Sequence, residues 1–147
     1  MDEKFKLIAS VYLLFQQNKE VLLLRRANTG YEDGKYGLVA GHLDVHESLT
    51  IAAIREAKEE AGVDIKPDDL ILRTVMHRRQ DDERIDFFFE PLKWAGELKN
   101  MEPRKCDDLK WFPIDNLPEN TIPYIKQAIE FWQKKIFYSE FGWAELQ

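Results

Sequence analysis

Apolar residues along the chain fall in short runs broken by polar clusters, and the runs set the expected elements. Residues 5–15 are mostly apolar and rich in strand formers, residues 16–19 are polar, and residues 21–24 are apolar again. This pattern predicts a β-hairpin. Residues 27–35, with Gly30 and Gly34, predict a loop, and residues 36–40 a short strand. Residues 70–77 and 84–92 predict two more strands around a polar turn at 78–83. Residues 94–98 and 109–112 are expected to extend the sheet, on either side of a polar loop at 99–108 that contains Pro103. Ser48 predicts the cap of a helix that runs to Ala61 and stops at Gly62. A second helix is expected from Thr121 or Ile122, with Pro123 in its first turn, where the missing N–H does no harm. Ile122, Ile125, Ile129, Trp132 and Ile136 recur at helical spacing and predict a face packed on a sheet. Many strands with two helices give an α/β or α+β sandwich.

Composition narrows the class. A chain of 147 residues suits one domain, expected over residues 1–147. Hydrophobic residues at 44% exclude a disordered tail. Cys106 is the single cysteine, which excludes a disulfide framework and a four-cysteine zinc site. The start Met1-Asp2-Glu3-Lys4 lacks the shape of a signal peptide, and no apolar run is long enough to span a membrane. The expectation is a cytoplasmic protein with no membrane partner. A formal net charge of −6 argues against a nucleic-acid partner, which would call for a basic face. It leaves room for an anionic small molecule, because a bound metal reverses the local sign.

The acids are unevenly spread. Asp44, Glu47, Glu56, Glu59, Glu60 and Asp64 crowd one stretch, opposed only by Arg55 and Lys58. On a helix, Glu56, Glu59 and Glu60 share an arc of about 100°. Like charges so placed repel, and a divalent cation such as Mg²⁺ turns the repulsion into binding. The opposite face carries Leu49, Ala52, Ala53, Ala57 and Ala61, small enough for the helix to lie close to a sheet. Arg55 can pair with Glu59 four residues on or reach back to Glu47. Upstream, the Gly37 to His42 segment lets backbone carbonyls approach an ion.

These residues resemble a known family. Gly41, five residues, Glu47, seven residues, then Arg55-Glu56-Ala57-Lys58-Glu59-Glu60-Ala61-Gly62-Val63 is similar to the Nudix box, G-x5-E-x7-R-E-U-x-E-E-x-G-U with U a bulky aliphatic. All of its fixed positions are filled; Ala57 is smaller than the pattern prefers. Gly41-His42-Leu43-Asp44 and the later stretch from Asn100 to Cys106 with Trp111 resemble the branch of MutT-like nucleoside triphosphate diphosphatases. The resemblance implies an α/β fold, a Nudix-type α/β/α sandwich with a mixed central sheet and two main helices. It implies hydrolysis of a nucleoside diphosphate-linked substrate with Mg²⁺ or Mn²⁺, most simply a nucleoside triphosphate cut to monophosphate and pyrophosphate. Glu56, Glu59 and Glu60 would be metal ligands, with a backbone carbonyl of Ala40 or Gly41; Glu56 could instead take a proton from the attacking water. Glu47 and Arg55 would brace the site, and Glu102 is a candidate further acid. An ADP-ribose or nucleotide-sugar diphosphatase, or a silent nucleotide-binding module, are the alternatives.

Other residues carry weaker expectations. Arg25 and Arg26 end a strand, so only one faces the substrate, and the resemblance favours Arg26. His42 and His46 lack the spacing of a zinc site and read as loop residues. Cys106 reads as a buried or loop thiol. The aromatic stretch at 137–143 either docks on the fold or makes a homodimer contact.

Overall fold

Residues 11–15 and 21–24 are apolar at every position, with no alternation, which is the pattern of strands covered on both faces. In the computed structural model, which describes residues 3–144, both faces are indeed covered. Strand β1 (Ile8–Leu13) runs through a five-stranded mixed sheet ordered β5-β1-β7-β6-β9, with β5 at Val39–His42, β6 at Leu70–Arg79, β7 at Glu83–Pro91 and β9 at Tyr138–Phe141. Strand β3 (Glu20–Arg26) is the hub of a second, antiparallel sheet, flanked by β2 (Gln16–Gln17), β4 (Tyr36–Gly37) and β8 (Cys106–Pro113). Helix α1 (Leu49–Ala61) packs with Val11, Leu13, Phe15 and Val39; α2 (Pro123–Gln133) packs with Tyr12, Leu14, Met76 and Phe88 on the other side. The expected α/β sandwich with a mixed sheet and two main helices is therefore present.

The helices form where the sequence places them. Ser48 Oγ accepts the Ile51 amide at 3.2 Å, and Gly62 closes α1 in the left-handed region at φ 75°. Ala52, Ala53, Ala57 and Ala61 are fully buried, so the small residue at position 57 is what lets α1 lie against the sheet. Pro123 opens α2, but Ile136 lies beyond its end and is half exposed, so it leaves the packed stripe.

Four expectations are corrected. The long strands β1 and β3 do not form one hairpin: they lie in different sheets, and the tight turn joins β2 to β3 through Asn18 and Lys19, at φ 51° and 61°. Residues 36–40 split into β4 and β5, one in each sheet. Residues 94–98 add no strand; only Ala95 bridges to Asp64, while Trp94 packs edge-on against Phe15. The predicted polar turn at 78–83 shrinks to residues 80–82, since β6 runs to Arg79 and β7 starts at Glu83. The aromatic stretch at 137–143 supplies β9, parallel to β6, with the Trp143 indole N–H donating to the His77 carbonyl at 3.0 Å; Phe137 and Tyr138 remain exposed. Among the described residues, no helix is long and apolar enough to cross a membrane.

Candidate active site

Two of the box residues build a brace. Arg55 has five N–H donors, and all are used. Nε and Nη2 fork onto Glu47 at 2.7 and 2.9 Å, Nη1 reaches Glu56 at 2.7 Å and Glu59 at 3.2 Å, and Nη2 also reaches the His42 carbonyl at 3.0 Å. The guanidinium, with the Asp44 amide, holds the Glu47 carboxyl at about 2, well below its ordinary value. The sequence left Glu47 or Glu59 open as the partner of Arg55; the structure gives it both.

Gly41 is needed for a steric reason. A Cβ there would overlap the Glu56 carboxylate, so only glycine lets the acid lie against β5. The register separates the two backbone candidates. Gly41 lies opposite Val11 in the ladder between bonded neighbours, whereas Ala40 turns its N–H outward to Glu60 at 3.1 Å. A strand residue points its N–H and C=O to the same side, so the Ala40 carbonyl also faces away from β1 and that of Gly41 does not.

A cleft of about 610 Å³ opens beside this strand. Of the residues expected at a site, Arg26, Ala40, Gly41, Glu56, Glu59, Glu60 and Glu102 line it; Glu47, Arg55 and Arg25 do not. Arg25 points away and pairs with Asp107 at 2.7 Å. Glu102 is brought in by the end of α1: the Lys99 and Met101 amides donate to the Ala61 and Glu60 carbonyls, which otherwise lack partners, and pin this segment beside Glu60. Arg26 donates to the Tyr31 carbonyl at 2.7 Å and to Thr29 Oγ1 at 3.2 Å. Among the described residues it has no carboxylate within ion-pair distance.

Glu60 is the opposite of Glu47. Burial pushes its carboxyl up to about 8, against one backbone hydrogen bond, and the nearby Glu56 and Glu102 push the same way. Glu56 is also raised, chiefly by burial, with Arg55 opposing. As the side chains stand, no three His, Cys, Asp or Glu among the described residues are grouped to hold an ion, since Glu59 is drawn to Arg55. The donor set still suits one. Two crowded, under-compensated carboxylates beside an outward carbonyl are hard oxygen donors, the kind that Mg²⁺ and Mn²⁺ take.

Sequence reasoning missed another wall of the cleft, which Ser10, Tyr12, Arg78, Arg84 and Tyr124 line. Arg78 is almost wholly buried in β6, where the polarity of the stretch predicts a turn. The strand period through His77 to Arg79 was the available signal, masked by the polarity of the stretch. His42 Nε2 contacts Arg84 at 3.0 Å, and Cys106 opens β8 with its thiol on the Asp108 carbonyl at 3.2 Å.

Known proteins share this fold. The NUDIX domain model matches residues 4–133. The NAD-capped RNA hydrolase NudC of Stutzerimonas stutzeri is 32% identical over 116 residues, 77% of this chain but 39% of that protein, so the chain spans well under half of that relative. The 8-oxo-dGTP diphosphatase of Escherichia coli is 27% identical over 123 residues, 82% of this chain and 94% of that protein. The crystal structure of a MutT NUDIX hydrolase from Burkholderia pseudomallei superposes with a TM-score of 0.78 at 23% identity, covering 86% of this chain and 98% of that one. The box residues, the sheet they hang on and the match over nearly the whole chain agree: the chain belongs to the Nudix hydrolase family and has the fold of its MutT-like members.

Proposed function

We propose that the chain is a divalent-cation-dependent pyrophosphohydrolase that cuts a nucleoside triphosphate to monophosphate and pyrophosphate. The observation that carries the reading is the pair of cleft carboxylates held near an outward carbonyl: Glu56, whose ion pair with Arg55 does not offset its burial, and Glu60, which has no ion-pair partner among the described residues. Glu60, Glu56 and the Ala40 carbonyl would hold Mg²⁺ or Mn²⁺, with Glu59 able to swing from Arg55 to join them. The ion, when bound, neutralises diphosphate charge and activates water. Arg26 supplies a cation that no carboxylate has claimed and holds a phosphate oxygen. Glu56 takes the proton of the attacking water, and Glu102, close to both acids, is the second candidate for that step. Glu47 and Arg55 stay outside the cleft and keep Glu56 in place.

A panel of nucleotides with Mg²⁺ tests the reading. Triphosphates should release pyrophosphate, and orthophosphate release alone would sink it. A nucleoside diphosphate bearing a larger group is the second reading, favoured by the 32% identity to an NAD-capped RNA hydrolase. There the panel would show turnover of a dinucleotide or ADP-ribose and none of triphosphates. A homodimer, a cytoplasmic location and a substrate free of nucleic acid remain parts of the proposal, read by light scattering, fractionation and the same panel.

A further inference from the structure

A strand at the edge of a sheet offers unpaired backbone groups to another chain, and folds blunt such edges by keeping them short. Here β2 and β4 have two residues each, and β5 and β9 have four. The Glu140 carbonyl of β9 is also taken, by the Gln127 side chain at 3.0 Å. Strand β8 is different. It has eight residues, and among the described residues it pairs with β3 alone.

The open part of this edge has definite ends. The Ile114 amide donates to the Lys19 carbonyl, so the residues in the same phase, Phe112, Lys110 and Asp108, turn their backbone groups towards β3. Leu109 and Trp111 turn theirs outward, where no strand among the described residues meets them. At one end, the Asn100 side chain donates to the Cys106 carbonyl at 2.6 Å. At the other, Pro113 has no N–H, and its carbonyl accepts the Asn116 amide at 3.1 Å. Leu109 lies near the middle of what remains. Leu109 and Trp111 pack half-buried on the α1 side of the sheet. On the other side, Asp108 accepts the Tyr36 hydroxyl, and Lys110 stands 5.5 Å over the Phe112 ring. Lys110 is exposed and has no carboxylate within ion-pair distance among the described residues.

We infer that two copies of the chain pair their β8 strands antiparallel about a two-fold axis at Leu109, joining their four-stranded sheets into one. This rests on the homodimer part of the proposal above and not on the chemistry of the cleft. Charge fixes the register. Centred on Leu109, Asp108 of each copy stands opposite Lys110 of the other, in a pair without backbone bonds, where side chains come closest. Leu109 meets Leu109 in a bonded pair and exchanges two backbone hydrogen bonds. Centred one residue on, Lys110 would oppose Lys110. Centred on Trp111, Leu109 would face Pro113, which has no N–H to give. A lysine on an edge ordinarily keeps other strands away. An aspartate two residues earlier turns that lysine into a match for one partner, a copy of the same strand.

Light scattering of the full chain from about 1 to 100 μM reads the assembly. The wild type should be a dimer in the upper part of that range, as suits a short ladder. Lys110→Glu sets like charges across the axis and should raise the dissociation constant about tenfold or more, while Lys110→Arg should leave it unchanged. Asp108→Lys should weaken the dimer in the same way. Mixed together, the Lys110→Glu and Asp108→Lys chains set every charge against its opposite and should bind each other as the wild type binds itself. A cooperative thermal melt shows which chains are folded. Lys110 is exposed and lies outside the cleft, so its two variants carry the test even if Asp108→Lys, which touches Tyr36, does not fold. A wild type that is monomeric at about 100 μM overturns the interface and the homodimer together. A dimer unmoved by Lys110→Glu, or folded partners that stay apart when mixed, overturns the interface and leaves the homodimer to another surface. The nucleotide panel is read separately: its failure would remove the hydrolytic reading and leave this interface standing.

Discussion

Glu47 and Glu60 belong to one motif and start from the same ordinary value, yet one is held at about 2 and the other is pushed up to about 8. The difference is their company. Glu47 takes both arms of a guanidinium and a backbone N–H, so its charge is met at short range. Glu60 is half-buried with two other acids nearby, and one backbone N–H and the field of Arg26 do not offset the loss of water around it. One region of the box is finished as it stands. The other is left incomplete in a way that only a cation would complete. A fold can hold such a strained carboxylate because the braced half is secured by five hydrogen bonds from a single arginine.

The largest expected effect comes from exchanging charge for shape at each of the two. Glu60→Gln should lower kcat roughly 100-fold or more while leaving the melting temperature unchanged or raised, because a neutral amide suits the buried position better. A chelator should abolish turnover of the wild type by the same route. Glu47→Gln should do the reverse, lowering the melting temperature by several degrees, since it leaves Arg55 half unpaired, with a smaller loss of kcat. Full activity in Glu60→Gln would erase the contrast between the two acids.

Gly41→Ala presses on the contact between the regions. The new methyl would take the place of the Glu56 carboxylate, which must then move off β5. A displacement of this kind costs about 100-fold in turnover when the group belongs to the chemistry. Steady-state kinetics beside a thermal scan would show it, and an alanine variant with wild-type kcat would place Glu56 outside the chemistry.

The acid-bearing wall of the cleft and the wall that holds Arg78 also differ in how far the sequence exposes them. Glu56, Glu59, Glu60 and Arg55 lie within one helix, where spacing alone gives their shared face, and Ser48 and Gly62 mark its ends. Ala40 and Gly41 could not be separated by sequence, because which carbonyl is free depends on the register of β5 against β1. Glu102 was a bare candidate, since its place is set by how its loop caps α1. The Arg78 wall was not legible. Its members come from β1, β6, β7 and α2, and the charges of Arg78 and Asp86 disguise buried strand positions as a polar surface. The same long-range pairing split the expected hairpin between two sheets.

A pH series sharpens the comparison further, because the two acids have opposite signs. With chelator present, the folded chain binds a proton at Glu60 more tightly than the unfolded chain does. Stability should therefore fall as pH rises from about 5 to 8, and Glu60→Gln should flatten this slope. Glu47, with a lowered folded value, contributes stability that is present above its ordinary value and is lost as pH falls towards 2. Chemical denaturation at intervals of one pH unit would read both limbs. A wild type whose stability is flat from 5 to 8 would mean that Glu60 is better solvated than its burial suggests.

The smallest effect is the control for all the others. Ser48 caps α1 at the end away from Glu60, through a single hydrogen bond to the Ile51 amide at 3.2 Å. Ser48→Ala should cost about 1 kcal/mol of stability, seen as a drop of a few degrees in melting temperature. The cap touches neither Arg55 nor a cleft carboxylate, so kcat and KM at a temperature well below melting should stay at wild-type values. A fall in kcat as large as that in Gly41→Ala would mean that the carboxylates depend on the position of the whole helix. The contrast between Glu47 and Glu60 would then belong to the element that carries them rather than to the partners each has found.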